Sequence, residues 1–288
     1  MASSRHLYSP LRYPGGKGCI FPFVAKLFYE NELIGVNYAE PYAGGSGLAL
    51  RLLFEGYVEK IYLNDIDMSV YSFWKAILSE TDDFCKWIHN VRVDVKRWRH
   101  YRELISCESA SEFELAQAFF FLNRTNVSGI LNGGIIGGIN QQGAYKIDAR
   151  FNKPDLISRI QRIADLRNRI VLSHKDGIDF LRQMDKMNEQ ILIFLDPPYF
   201  CKGAKLYMNF YTEKDHKTLS RHVARLKKRW LVSYDNQPFI LNLYSEYKKV
   251  SHNLSQCASN RIGKEVLIFS DKIQYSHSLK LLNSPERV

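Results

Sequence analysis

The sequence predicts an α/β fold on a largely parallel sheet, and three observations carry that expectation. Short aliphatic or β-branched runs alternate with longer helical patterns along most of the 288 residues. The run Ile191-Leu192-Ile193-Phe194-Leu195 is apolar at every position, as a strand covered on both faces must be. The alternation also breaks once, between residues 81 and 150. In chain order, the strand candidates are residues 36–39, 60–63, 169–172, 191–195, 230–233 and 266–269. Helical patterns between them include residues 48–55, 177–187 and 213–228. In the break, two helix-like segments precede a glycine-rich passage, residues 129–143, whose composition suits a mobile hairpin or loop. The expected organisation is one domain of residues 1–80 and 151–288, with helices on both faces of its sheet. Residues 81–150 form an inserted, mostly helical domain with a glycine-rich hairpin.

Composition narrows the function classes. A hydrophobic content of 45% is ample for a core. No apolar run approaches the roughly 18 to 20 residues of a membrane span, and Met1 to His6 lack the apolar stretch of a signal peptide, so a cytoplasmic protein without a membrane partner is expected. The cysteines at 19, 85, 107, 201 and 257 are odd in number and show no CxxC spacing, which argues against a disulfide framework and against a metal site. The excess of 40 Lys and Arg over 30 Asp and Glu, a net +10, favours a polyanionic partner.

The first strand candidate runs into Glu40-Pro41-Tyr42-Ala43-Gly44-Gly45-Ser46-Gly47 and then a helical run. A glycine turn joining strand to helix lets backbone approach a ligand and leaves helix amides facing it. Alone, it is equally a tight turn. Asp65 ends the next strand about twenty residues on, where a carboxylate can accept hydrogen bonds from both ribose hydroxyls. Asp67 suits the N-cap of the following helix. The turn has neither the spacing GxGxxG nor a phosphate loop, so the ligand expected is a nucleoside without pyrophosphate, such as S-adenosylmethionine.

The buried strand 191–195 leads directly into Asp196-Pro197-Pro198-Tyr199. Two prolines stiffen the residues before them, so the Asp196 carboxylate and a main-chain carbonyl form a rigid acceptor pair at the sheet's carboxyl edge. Such a pair suits an exocyclic amine, whose lone pair is delocalised into its ring until two acceptors draw the nitrogen toward tetrahedral geometry. Tyr199 offers a flat face for a base taken out of its stack.

These residues resemble the Dam-type, D12 class family of N6-adenine DNA methyltransferases. The similarity runs in order through Leu11-Arg12-Tyr13-Pro14-Gly15-Gly16-Lys17, the glycine turn, Asn64-Asp65-Ile66-Asp67, Leu122-Asn123-Arg124-Thr125-Asn126-Val127-Ser128-Gly129, Asp179-Phe180 and the Asp-Pro-Pro-Tyr tetrapeptide. The resemblance implies a Rossmann-like sheet of the class I methyltransferase type and methyl transfer to N6 of an adenine flipped from double-stranded DNA. It implies cofactor contacts for Tyr13, Gly16, Lys17, Glu40, Pro41, Gly44, Gly47 and Asp196, with Lys17 near the methionine carboxylate. It further implies a ribose contact for Asp65 and adenine-side contacts for Asp179 and Phe180. Catalysis falls to Asp196, Pro197, Pro198 and Tyr199. The inserted segment becomes the target-recognition domain, with Asn123, Arg124 and Asn126 at the DNA; Ser128-Gly129 stands where members often carry Asn-Gly. Arg124 could reach a guanine edge or hold a phosphate, and Lys96, Arg97 and Arg99 read as phosphate neighbours or solvated charges. A monomer is favoured, and the family admits a cognate restriction endonuclease as a further partner. Competing functions are N4-cytosine or RNA N6-adenine methylation, and a catalytically silent DNA-binding relative.

Overall fold

The computed structural model describes residues 8–13, 15–201, 211–256 and 261–288, with the side chains of 254–256 and 261–262 not described. Pro14, Cys257 and the stretch Met1 to His6 therefore lie outside the described residues. Five parallel strands, β1 (Asn37–Glu40), β2 (Ile61–Asn64), β3 (Ile170–Ser173), β4 (Ile191–Leu195) and β5 (Arg229–Asp235), form most of one sheet. Three more strands, β6 (Lys248–Gln256), β7 (Arg261–Phe269) and β8 (Glu286–Arg287), extend it to eight in the order β3-β2-β1-β4-β5-β7-β6-β8. β7 runs antiparallel to both β5 and β6.

Each expected strand is present within a few residues, and residues 191–195 form a strand buried at all five positions. Its side chains alternate between the two faces: Ile191, Ile193 and Leu195 enter one hydrophobic cluster, Leu192 and Phe194 the other. β6 is not among the expected strands. Its sequence, KKVSHNLSQ, has too few apolar residues to show an alternation, and the backbone pairing with β7 organises it instead.

Ten α-helices lie among the described residues: α1 (Phe21–Glu30), α2 (Gly47–Phe54), α3 (Met68–Ser79), α4 (Thr81–Asn90), α5 (Val95–Leu104), α6 (Glu112–Thr125), α7 (Lys153–Asp165), α8 (Gly177–Lys186), α9 (Glu213–Val223) and α10 (Pro238–Leu243). α9 stops five residues before the expected end at 228; beyond it the amides of Lys227 and Lys228 donate to Asp185 rather than continuing the helix.

The break in rhythm at residues 81–150 contains three helices, not two. α4 to α6 do not bury a core of their own. Phe84, Ile88, Tyr101 and Phe119 to Leu122 join the same cluster as Leu50, Phe194 and Leu267 of the sheet side. Phe73 of α3 stacks on Phe120 of α6, centroids 5.5 Å apart and nearly parallel. α6 begins at a capping box in which Ser111 and Glu114 satisfy each other's backbone amides. After it, the glycine-rich passage is internally bonded: Asn126 bridges Ile135 in antiparallel fashion, and Gln141 Nε2 donates to the carbonyls of Ile136 and Gly138.

Candidate active site

Between β1 and β4 the strand order reverses, so the connections leaving their carboxyl ends diverge and open a crevice. Glu40 ends β1 and Asp196 follows β4 at this point.

The glycine turn forms one wall. Gly44 and Ser46 both adopt left-handed backbone, φ 45° and 44°. A Cβ on Gly44 would lie 2.6 Å from the Tyr13 ring and one on Gly45 2.8 Å from the Tyr13 Cβ, so the glycines are required by an aromatic side chain laid directly on the turn. Trp74 Nε1 fastens the same turn by donating to the Gly44 carbonyl at 2.9 Å. Gly47 opens α2, and Gly16 donates its amide to the Tyr13 carbonyl. The Pro41 carbonyl accepts from Asn64 Nδ2, joining the ends of β1 and β2.

Asp65 spans this wall, accepting from the Gly44 amide at 2.9 Å and the Asp67 amide at 3.0 Å. Although solvent still reaches part of it, desolvation pushes its carboxyl up to about 7, against the lowering effect of those two amides. Glu40 is buried, accepts from the Tyr38 hydroxyl at 3.0 Å, and is pushed up to about 8 by burial. Asp67 caps α3 through the amides of Ser69 and Val70, as expected.

Asp196 and Tyr199 form the opposite wall. Lys17, only 5% exposed, reaches across from the 3-10 turn Lys17–Ile20. Its ammonium lies 2.9 Å from Asp196 Oδ2 and 3.6 Å from Glu265 Oε2, and donates to the Tyr199 hydroxyl at 2.7 Å. That hydroxyl donates to Glu265 Oε1 at 2.6 Å. Burial alone would lower the Lys17 pKa, but Asp196, Tyr199 and Glu265 hold it well above its usual value. Asp196 is pushed up to about 6, first by desolvation, with Lys17 opposing and Glu265 adding to the rise. Its Oδ1 is buried and has no hydrogen-bond partner among the described residues.

The chain matches the model of the D12 class N6 adenine-specific DNA methyltransferase family over residues 13–256. It belongs to that family. No curated relative matches it. Among solved structures, a candidate methylase from Haemophilus influenzae is similar at 10% identity, with 86% of each chain covered and a TM-score of 0.34.

In this D12 methyltransferase, the structure brings Tyr13, Gly16, Lys17, Glu40, Pro41, Gly44, Gly47, Asp65 and the tetrapeptide 196–199 to the carboxyl edge of β1, β2 and β4. Asp179 and Phe180 stand apart from that group. Asp179 is exposed and ion-paired with Arg182 at 2.7 Å, while Phe180 is buried in the cluster under β4. Asp176, three residues earlier, caps α8 at the edge, and Gly177 lies so close to Tyr42 that a Cβ would meet its hydroxyl at 2.8 Å.

The Asn-Arg signature faces inward. Asn123 is buried, accepting from the Arg12 amide at 2.8 Å and donating to the carbonyls of Arg12 and Gly129 at 2.8 and 3.1 Å. Arg124 is 9% exposed and donates to the carbonyls of Arg150 and Pro10. Burial, then the charge of Arg12, lowers its pKa. Asn126 is fully buried, accepting from Trp98 Nε1 and donating to the carbonyls of Ile130 and Leu131. These three residues pin the N-terminal motif and the glycine-rich passage to α6. Lys96, Arg97 and Arg99 are exposed along α5.

Besides Asp176, two carboxylates escaped the sequence analysis. Glu265 lies inside the strand EVLIF, where a lone acid resembles solvent-facing polarity, and nothing in the sequence marks it. Asp235 ends β5 as Asp65 follows β2, so its place at a strand's carboxyl end was a readable signal.

Proposed function

We propose that this D12 methyltransferase transfers a methyl group from S-adenosylmethionine to N6 of an adenine flipped out of duplex DNA. The observation that carries this is the buried, unpartnered Oδ1 of Asp196 beside the Tyr199 ring at the strand-order reversal. A buried acceptor without a donor is costly, and an amine N–H placed there would satisfy it.

The donor set suits the cofactor. Asp65 holds a carboxylate at the end of β2 for ribose hydroxyls, and Tyr13 lies on the glycine turn beside it. Lys17 is the buried cation at this edge, and it would face a methionine carboxylate by giving up one of its present partners. Asp176 at the α8 cap, rather than Asp179, suits the adenine side. S-adenosylmethionine, when bound, supplies an electrophilic methyl group on its sulfonium.

This chain then has three tasks. Asp196 Oδ1 and the Pro197 carbonyl accept the two amine protons and draw the nitrogen lone pair out of conjugation. Tyr199 supplies a stacking face worth about 1 to 3 kcal/mol. Asp196 remains next to the nitrogen to receive the proton that becomes acidic once the new N–C bond has formed. Lys96, Arg97 and Arg99 on α5 meet phosphates, while Asn123, Arg124 and Asn126 act from beneath as anchors.

The test supplies duplex DNA, single-stranded DNA and RNA separately with labelled S-adenosylmethionine, then hydrolyses each to nucleosides. Label in N6-methyladenine from duplex alone is expected. Label in N4-methylcytosine, label confined to RNA, or binding without transfer refutes the proposal.

A further inference from the structure

β5 pairs antiparallel with β7 so that Asp235 stands opposite Glu265, and β6 sets His252 opposite Glu265 on its other side. Cross-strand partners share a face of the sheet, so the three side chains form a row across neighbouring strands. All three are buried, at 6%, 1% and 2% exposure. Such a polar row is expensive unless something engages it. The loop carrying Tyr199 does so twice. The amides of Phe200 and Cys201 donate to the two Asp235 oxygens, each at 3.0 Å. One residue earlier, the Tyr199 hydroxyl donates to Glu265.

From this geometry, and resting on the function proposed above, we propose that Glu265 is a positioning residue. It sets the Tyr199 ring by accepting a hydrogen bond from its hydroxyl and shares the Lys17 ammonium with Asp196. Tyr199 is thereby held at both ends, its following backbone by Asp235 and its hydroxyl between Lys17 and Glu265. A stacking surface fixed in this way is preorganised for the base, and displacement of about 1 Å at such a surface costs up to about a hundredfold in rate. The charge acts on a second group. The Lys17 ammonium lies at hydrogen-bond distance from the Gly15 carbonyl, the Tyr199 hydroxyl and Asp196 Oδ2, with Glu265 Oε2 beyond them at 3.6 Å, so the Glu265 charge draws part of its pairing away from Asp196. The groups facing Glu265 are Lys17 from the 3-10 turn, Asp196 and Tyr199 from beyond β4, Ser233 and Asp235 from β5, and His252 from β6.

The test measures single-turnover methyl transfer to duplex DNA against pH for E265Q, Y199F, the double variant and E265D. E265Q keeps an acceptor but removes the charge. Its rate is expected to fall about tenfold and its acid limb to move to lower pH, because Lys17 then pairs more fully with Asp196. The double variant is expected to be no slower than the slower single one, since both changes break one linkage. E265D keeps the charge and withdraws the oxygen by one methylene, so its rate falls while its acid limb stays in place. Multiplicative losses in the double variant, an unmoved acid limb in E265Q, or a wild-type rate in E265D overturns the role of Glu265. Failure of the unaltered protein to methylate adenine overturns the proposed function itself, and with it this inference.

Discussion

At the scale of single residues, the proposed chemistry turns on a carboxylate whose proton would decide whether it can work. Asp196 is pushed up to about 6, so it is ionised at neutral pH and gains a proton as pH falls through that value. On the function proposed above, the protonated form would have lost an acceptor for the amine. Methyl transfer should therefore fall on the acid side with an apparent pKa near 6, measured as kcat against pH. Asp196→Asn should remove this limb together with nearly all activity, while circular dichroism shows the fold retained; appreciable turnover in that variant would separate Asp196 from the chemistry. The tetrapeptide was legible because a buried strand followed by two prolines announces itself. Glu265 was not, because its importance depends on Lys17 and Tyr199, which lie 248 and 66 positions away along the chain.

At the scale of elements, the Asn-Arg signature at the end of α6 holds the N-terminal motif in place. Asn123 pairs with both backbone groups of Arg12 as a neighbouring strand would, and a Cβ on Gly129 would approach the Arg12 carbonyl to 2.2 Å. Asn123→Leu leaves those groups without partners and should lower unfolding stability by about 3 kcal/mol, read from a denaturant titration. A loss below ~0.5 kcal/mol would mean that water replaces the amide without penalty. Gly44→Ala tests the other contact of that motif. Its methyl group would displace the Tyr13 ring, so S-adenosylmethionine affinity by calorimetry should fall at least about tenfold. Unchanged affinity would remove Tyr13 from the cofactor wall. The sequence showed that the residues at 122–129 mattered but not their direction, because a motif on a helix looks alike whether it faces a ligand or its own chain. α4 to α6 were legible as an interruption, whereas their packing against α3 depends on pairs such as Phe73 and Phe120, which no local pattern connects.

At the scale of the whole molecule, the net charge of +10 should appear as a salt-dependent affinity for duplex DNA. Each phosphate neutralised contributes about 0.9 to the slope of log affinity against log salt. Replacing Lys96, Arg97 and Arg99 together should flatten that slope by up to about 3 and weaken all sequences alike. Arg124→Ala, being buried, should reduce stability before it changes the slope. An unchanged slope in the triple variant would move the DNA to another face of the molecule. The cluster that joins α4, α5 and α6 to the sheet has a different consequence. With no interior of its own, the segment between α3 and α7 is expected to melt with the sheet in a single calorimetric transition of matching van't Hoff and calorimetric enthalpies. Target specificity would then be no detachable module. A segment transplanted from another methyltransferase would need to bring partners for Phe73 of α3, which packs on Phe84, Phe119 and Phe120, as well as contacts for a new DNA sequence, so heritable changes of target should proceed by exchange of surface residues on a retained interior.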